Sequence, residues 1–112
     1  MKTKLAAACL ALCAIASPVA ASDTGPGLVS NVMPMRNGVV IFQHSGSRTT
    51  ATPACHGAGH GWTLNAGTVT GQAQLAVLLS AQAQGKKIVI VGWGNCNDWV
   101  DTEAVNYFRV DD

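Results

Sequence analysis

The sequence predicts a mostly β domain with one helix, in the order strand, strand, strand, helix, strand, strand. Three observations predict it. Two short β-branched runs, residues 39–42 and 88–91, read as strands. A longer segment places Leu75, Leu78 and Leu79 at i, i+3 and i+4, the spacing of a helix with one apolar stripe. Turn residues, Asn37-Gly38 and Gly85, stand at the boundaries. This order fits a five-stranded Greek-key barrel of the OB-fold type, with the helix between strands three and four. A small open α+β sandwich is the alternative.

The chain opens with Lys2 and Lys4, an uncharged apolar run over residues 5–16, the breaker Pro18, and Val19 and Ala21 at −3 and −1. Residues 1–21 therefore read as a signal peptide cut after Ala21, too short in its apolar part to span a bilayer. Cys9 and Cys13 leave with it, and neither stands behind a small residue at the end of the run, where a lipidated cysteine belongs. The expected location is periplasmic or secreted. Residues 22–27, Ser-Asp-Thr-Gly-Pro-Gly, read as a flexible leader, and residues 28–112 as a single domain.

Within that domain, residues 28–33 form the first expected strand, stopped by Pro34. Asn37-Gly38 turns the chain into the strand over 39–42. Ser45-Gly46-Ser47 turns it again, and the polar stretch 48–52 is the expected third strand, ended by Pro53. Residues 55–62 are a glycine-rich loop closing on Trp62, a plug for the barrel end under the helix. Thr70 is the expected helix cap, residues 71–84 the body, and Gly85 the left-handed stop. Leu75, Leu78 and Leu79 are its core stripe. The strand over 88–91 follows, then a turn over 92–96, then the last strand over 105–110.

After export five basic residues face six acidic ones, a net charge of −1, with no basic stripe. Nucleic acid is excluded as a partner on that ground. No later segment is long and apolar enough to cross a membrane. The two remaining cysteines, Cys55 and Cys96, read as one disulfide, since an exported chain meets an oxidising compartment. The chain-entropy model values a loop of this length at roughly 3–4 kcal/mol. A domain this small buries little surface, so such a staple matters.

The frame Trp62 … Gly71-Gln72-Ala73-Gln74-Leu75-Ala76 … Leu79 … Gly85-Lys86-Lys87-Ile88-Val89-Ile90, with Cys55 and Gly92-x-Gly94-x-Cys96, resembles the B subunit family of subtilase cytotoxin and its small secreted relatives. The resemblance implies an OB-fold and a ring of five subunits that binds sialylated glycans.

Three groups of residues are candidates for function. Trp93 and Trp99 flank Cys96 in a turn, and flat indole faces stack on sugar rings while their N–H groups donate. His56 and His60 flank Gly-Ala-Gly beside Cys55, a spacing open to zinc or copper, although the disulfide removes the thiolate. Asp98, Asp101 and Glu103 form an acidic cluster that reads as a solvated loop. No Gly-x-Ser-x-Gly elbow is present, and no catalytic residue or cofactor is assigned. The leading expectation is a non-catalytic, secreted glycan-binding module of the toxin B-subunit type. The alternatives are a structural or accessory protein without a small ligand, and a weak histidine-loop metal binder. The runs 39–42 and 88–91 are apolar on both faces, which calls for a second cover. Self-association, with a pentamer as the leading arrangement, is therefore expected.

Overall fold

The computed structural model describes residues 21–57, 59 and 61–112. Nearly all of the expected signal peptide, and His60, lie outside these described residues. The elements are β1 (Val29–Pro34), β2 (Val39–His44), β3 (Trp62–Asn65), α1 (Val69–Gln84), β4 (Lys87–Gly92) and β5 (Val105–Asp111). They form two antiparallel sheets, β1-β2-β3 and β4-β5, with the helix packed against both. The described residues form no closed barrel ladder, an arrangement consistent with the open α+β alternative. Isolated bridges nevertheless link the sheet edges: Gly27 with Ile88 and Asp23 with Val91, both antiparallel, and Thr63 with Ala104, parallel.

The first hairpin follows from its turn chemistry. Gly38 takes φ 91°, a conformation that penalises any side chain. The Asn37 side chain accepts the Val39 N–H at 3.1 Å. β1 pairs with β2 through a register shift between Ser30 and Met33, where Asn31 adopts φ 51°. Asparagine tolerates that left-handed geometry better than most residues.

The third strand is not the polar stretch 48–52. That stretch makes a single bridge, Arg48 to Thr24, and turns the Arg48 side chain inward. The strand that pairs with β2 is β3, placing Phe42 opposite Trp62 and Val40 opposite Leu64. Trp62 is 2 % exposed and belongs to the core itself.

The helix begins slightly earlier than its sequence suggests. Thr68, not Thr70, is the cap, and its hydroxyl accepts the Gly71 N–H at 2.9 Å. Gly85, at φ 66°, ends it with an N–H to the Gln82 carbonyl at 3.2 Å. Gly71 allows the close approach to β3: a Cβ there would lie 1.7 Å from the Asn65 carbonyl oxygen. The buried helix residues are Gly71, Leu78 and Ala81, with Leu75 half-buried against the core. Leu79 is 43 % exposed, so its assignment to the core stripe is corrected. Residues i and i+4 share a helix face only approximately, and small Gly71 and Ala81 set which side fits the sheets.

In β4, Ile88 and Ile90 point inward and are fully buried, while Val89 and Val91 face outward and stay half-buried. The stretch preceding β1 pairs along the free edge of β4. Residues 22–27 are stitched to the domain rather than loose: Gly27 N–H and Ile88 N–H exchange bonds at 3.0 and 2.8 Å, and Thr24 N–H bonds the Ile90 carbonyl at 2.9 Å. Ser22 and Thr24 are buried. At the far end of β2, His44 Nδ1 accepts the Gly46 N–H and Nε2 donates to the Ile88 carbonyl at 2.8 Å. This ties β2 to β4 across the gap between the sheets.

Candidate functional site

A cleft of about 300 Å³ opens between the N-terminal turn of α1, the end of β3 and the turn after β4. Its floor is apolar, made by Leu64, Ala104 and Val105. Trp93 stands on its rim with 55 % of its surface exposed. A large aromatic left half in water has not been spent on the core.

Backbone bonds hold the Trp93 turn. Trp93 N–H donates to the Ala104 carbonyl at 2.8 Å, and Ala104 N–H donates to the Asn95 carbonyl at 2.9 Å. Asn95 Oδ1 accepts the Asn97 N–H at 3.1 Å, tightening the next step. The disulfide between Cys55 and Cys96 anchors the end of the turn to the loop before β3. On the opposite wall, Gln74 Nε2 donates to the Asn106 carbonyl at 2.9 Å, fixing the helix to β5.

The polar groups presented to the cleft are amides, hydroxyls and one acid. Among the described residues, the side chains of Asn97, Asp98 and Asn106 line the cleft and make no hydrogen bond to the protein. Burial pushes the Asp98 carboxyl above its usual range, because the charged form loses water. Among the described residues, no lysine, arginine or histidine lines the cleft. Chemically the site offers one stacking face and several donors and acceptors left open to a ligand, with a negative rather than positive bias.

Behind the turn lies a second feature, a buried charge cluster. Glu103 is fully buried. One carboxylate oxygen accepts from Arg48 Nη1 at 2.9 Å and from the Ser22 hydroxyl. The other accepts from the Ser22 N–H and the Gly94 N–H, both at 3.1 Å. The guanidinium of Arg48 also donates to the Ser22 hydroxyl at 2.6 Å and to the Gly61 carbonyl at 2.7 Å, and lies 3.8 Å over the Trp62 ring. Burial lowers the Arg48 pKa and Glu103 opposes that, while an arginine remains charged throughout. Gly92 makes room for the group: a Cβ there would sit 2.0 Å from Glu103 Oε2. Because Glu103 holds Gly94 N–H, the cluster is the foundation of the turn that presents Trp93.

The sequence-expected residues are thus distributed unevenly. Trp93 is in the cleft. Trp99 is half-buried outside it, in a short turn where its carbonyl accepts the Thr102 N–H at 3.2 Å. The acidic cluster is dispersed: Asp98 edges the cleft, Asp101 accepts from the Thr102 hydroxyl at 3.1 Å, and Glu103 turns inward, correcting its reading as part of a solvated loop. His56 is a structural acceptor, with Nδ1 taking the Glu103 N–H at 2.9 Å and Nε2 lying 3.3 Å from Arg48. Its ring is therefore occupied where a metal would need it. Among the described residues, no group of three or more potential metal ligands comes together. The amides of the cleft, Asn95, Asn97 and Asn106, were not singled out from sequence; the Asn95-x-Asn97-Asp98 run beside Trp93 is the signal that points to them.

Compared with protein-family models, curated proteins and solved structures, the chain finds no match.

Proposed function

We propose that this chain is an exported, non-catalytic binding module that holds a neutral glycan in the Trp93 cleft. The observation that carries the reading is Trp93 itself, half exposed on the rim of a cleft lined by amides with unused hydrogen-bonding capacity. A sugar ring offers an apolar face for the indole and hydroxyls for the amides. Among the described residues no cation lines the cleft, and this, together with Asp98, favours an uncharged sugar over a sialylated one, since a carboxylate ligand needs a compensating charge. This narrows what the resemblance to toxin B subunits implies.

The reading extends to an OB-type topology and to self-association. Support comes from the isolated bridges, which set Thr63 of β3 against Ala104, just before β5, and Asp23 and Gly27, ahead of β1, against β4, as the strand order β1-β2-β3-β5-β4 of a partly open five-stranded barrel requires. A single cleft of this size binds sugars weakly, and a ring of five would convert weak sites into useful avidity. Screening the signal-free protein on a glycan array tests the ligand class, and light scattering tests the assembly. Saturable binding to uncharged glycans supports the reading. Binding confined to sialylated glycans, or to none, removes it.

A further inference from the structure

We propose that cleavage between Ala21 and Ser22 creates a structural ion: the new α-ammonium group of Ser22 becomes the second cationic partner of the buried Glu103 carboxylate. Two independent observations meet at one bond. The small residues at −3 and −1 put the cut before Ser22. The fold, separately, aims the nitrogen of that same residue at a buried acid, 3.1 Å from Glu103 Oε2. Ser22 is fully buried, whereas Ala21 is exposed.

The chemistry is a hydrolysis by a signal peptidase. Water adds across the Ala21–Ser22 peptide bond. Its oxygen goes to the Ala21 carbonyl carbon, which leaves as a carboxylate, and the Ser22 nitrogen gains hydrogen and is protonated at neutral pH. An amide N–H with one donor and no charge is thereby replaced by an ammonium with three donors and a full charge. Glu103 gains from this. Arg48 divides its donors among Glu103, the Ser22 hydroxyl and the Gly61 carbonyl, so it does not saturate the carboxylate alone. The amide hydrogen bond to the carboxylate carries charge on the acceptor alone, and the ammonium places a charge on the donor as well. In the folded domain Ser22 is buried and bonded on both sides, with its carbonyl taking the Gly92 N–H at 2.7 Å, so the cut precedes the docking of this segment. Removal of Ala21 also frees the Thr50 hydroxyl, which donates to the Ala21 carbonyl at 3.1 Å. Processing therefore completes the cluster that supports the Trp93 turn through Gly94, and it does so whatever ligand the cleft takes.

The test compares three full domains made without the signal peptide: one beginning at Ser22, one keeping Ala21 in front of it, and one beginning at Ser22 but N-acetylated. At pH 7 the form with the free Ser22 amine melts about 4–8 °C above the other two, the shift for a modest stabilisation in a domain of this size. In a Glu103→Gln background the three forms melt together. The reactivity of the α-amine provides a second readout that does not depend on that variant folding. Peptide mapping after labelling with an amine reagent at pH 7 shows Ser22 reacting about tenfold more slowly in the folded protein than in urea, as an amine held protonated against the Glu103 carboxylate requires. Equal melting of the three forms, a difference that persists in Glu103→Gln, equal labelling rates, or an exported protein that begins at another residue would overturn the proposal.

Discussion

Replacing Glu103 with glutamine removes a charge without changing the shape of the side chain. Four donors surround the carboxylate: Arg48 Nη1, the Ser22 hydroxyl, the Ser22 N–H and the Gly94 N–H. A glutamine amide keeps one oxygen and turns an NH₂ group towards two of those donors. Two hydrogen bonds are then lost and two donors face a donor. Each buried polar group left unsatisfied costs roughly 1–3 kcal/mol. Arg48 loses its counter-charge while only 18 % of its side chain reaches water. Breaking a buried ion pair from one side costs roughly 3–5 kcal/mol, and the local count agrees with that range. Urea unfolding followed by tryptophan fluorescence measures it. With a slope of about 1–3 kcal/mol per molar for a small protein, the midpoint falls by roughly 2 M. A loss below about 1 kcal/mol would refute the argument, because it would mean the cluster is hydrated rather than buried.

Other substitutions separate the parts of the account. Leu78→Ala, at a fully buried position, destabilises by roughly 3–5 kcal/mol, whereas Leu79→Ala, 43 % exposed, costs well under half as much; calorimetry on the pair fixes the helix face. Replacing both Cys55 and Cys96 with serine costs roughly 2–5 kcal/mol in denaturant midpoints. His44 is held neutral because burial lowers its pKa from 6.5. A depressed folded pKa gives stability that is complete above the unfolded value and is lost as pH falls through the folded one. Melting temperature therefore declines as pH drops below 6.5, and His44→Gln flattens that part of the profile.

The helix and the strand before the last turn were legible because each carries a strong local pattern: leucines at helical spacing ended by Gly85, and the unbroken run of β-branched residues in β4. The phase of the helix was less legible, since Leu75, Leu78 and Leu79 fit either of two adjoining faces and the choice depends on what Gly71 and Ala81 can approach. β3 was hidden for a different reason. Trp-Thr-Leu-Asn holds a single β-branched residue and follows a glycine-rich loop, so its strand character comes from pairing with β2. Residues 22–27 have the composition of a loose leader, yet their backbone groups find partners on β4. The charge cluster was the least visible. Glu103 and Arg48 lie 55 residues apart, and nothing local distinguishes an acid that points inward from its neighbours Asp98 and Asp101. At the cleft, Trp93 was legible as a surplus aromatic, and the amides around it became meaningful only once the turn and the helix end were brought together.

The cleft beside Trp93 is proposed to hold an uncharged sugar. The most direct measurement is a calorimetric titration of the signal-free protein with neutral and sialylated oligosaccharides, run in parallel on Trp93→Ala. Saturable binding of a neutral oligosaccharide is the expected result. Trp93→Ala should weaken it by about tenfold or more, about 1.4 kcal/mol, with the melting temperature unchanged because the side chain is already half in water. Equal affinity in the Trp93→Ala protein, or heat of binding only with sialylated ligands, would contradict it.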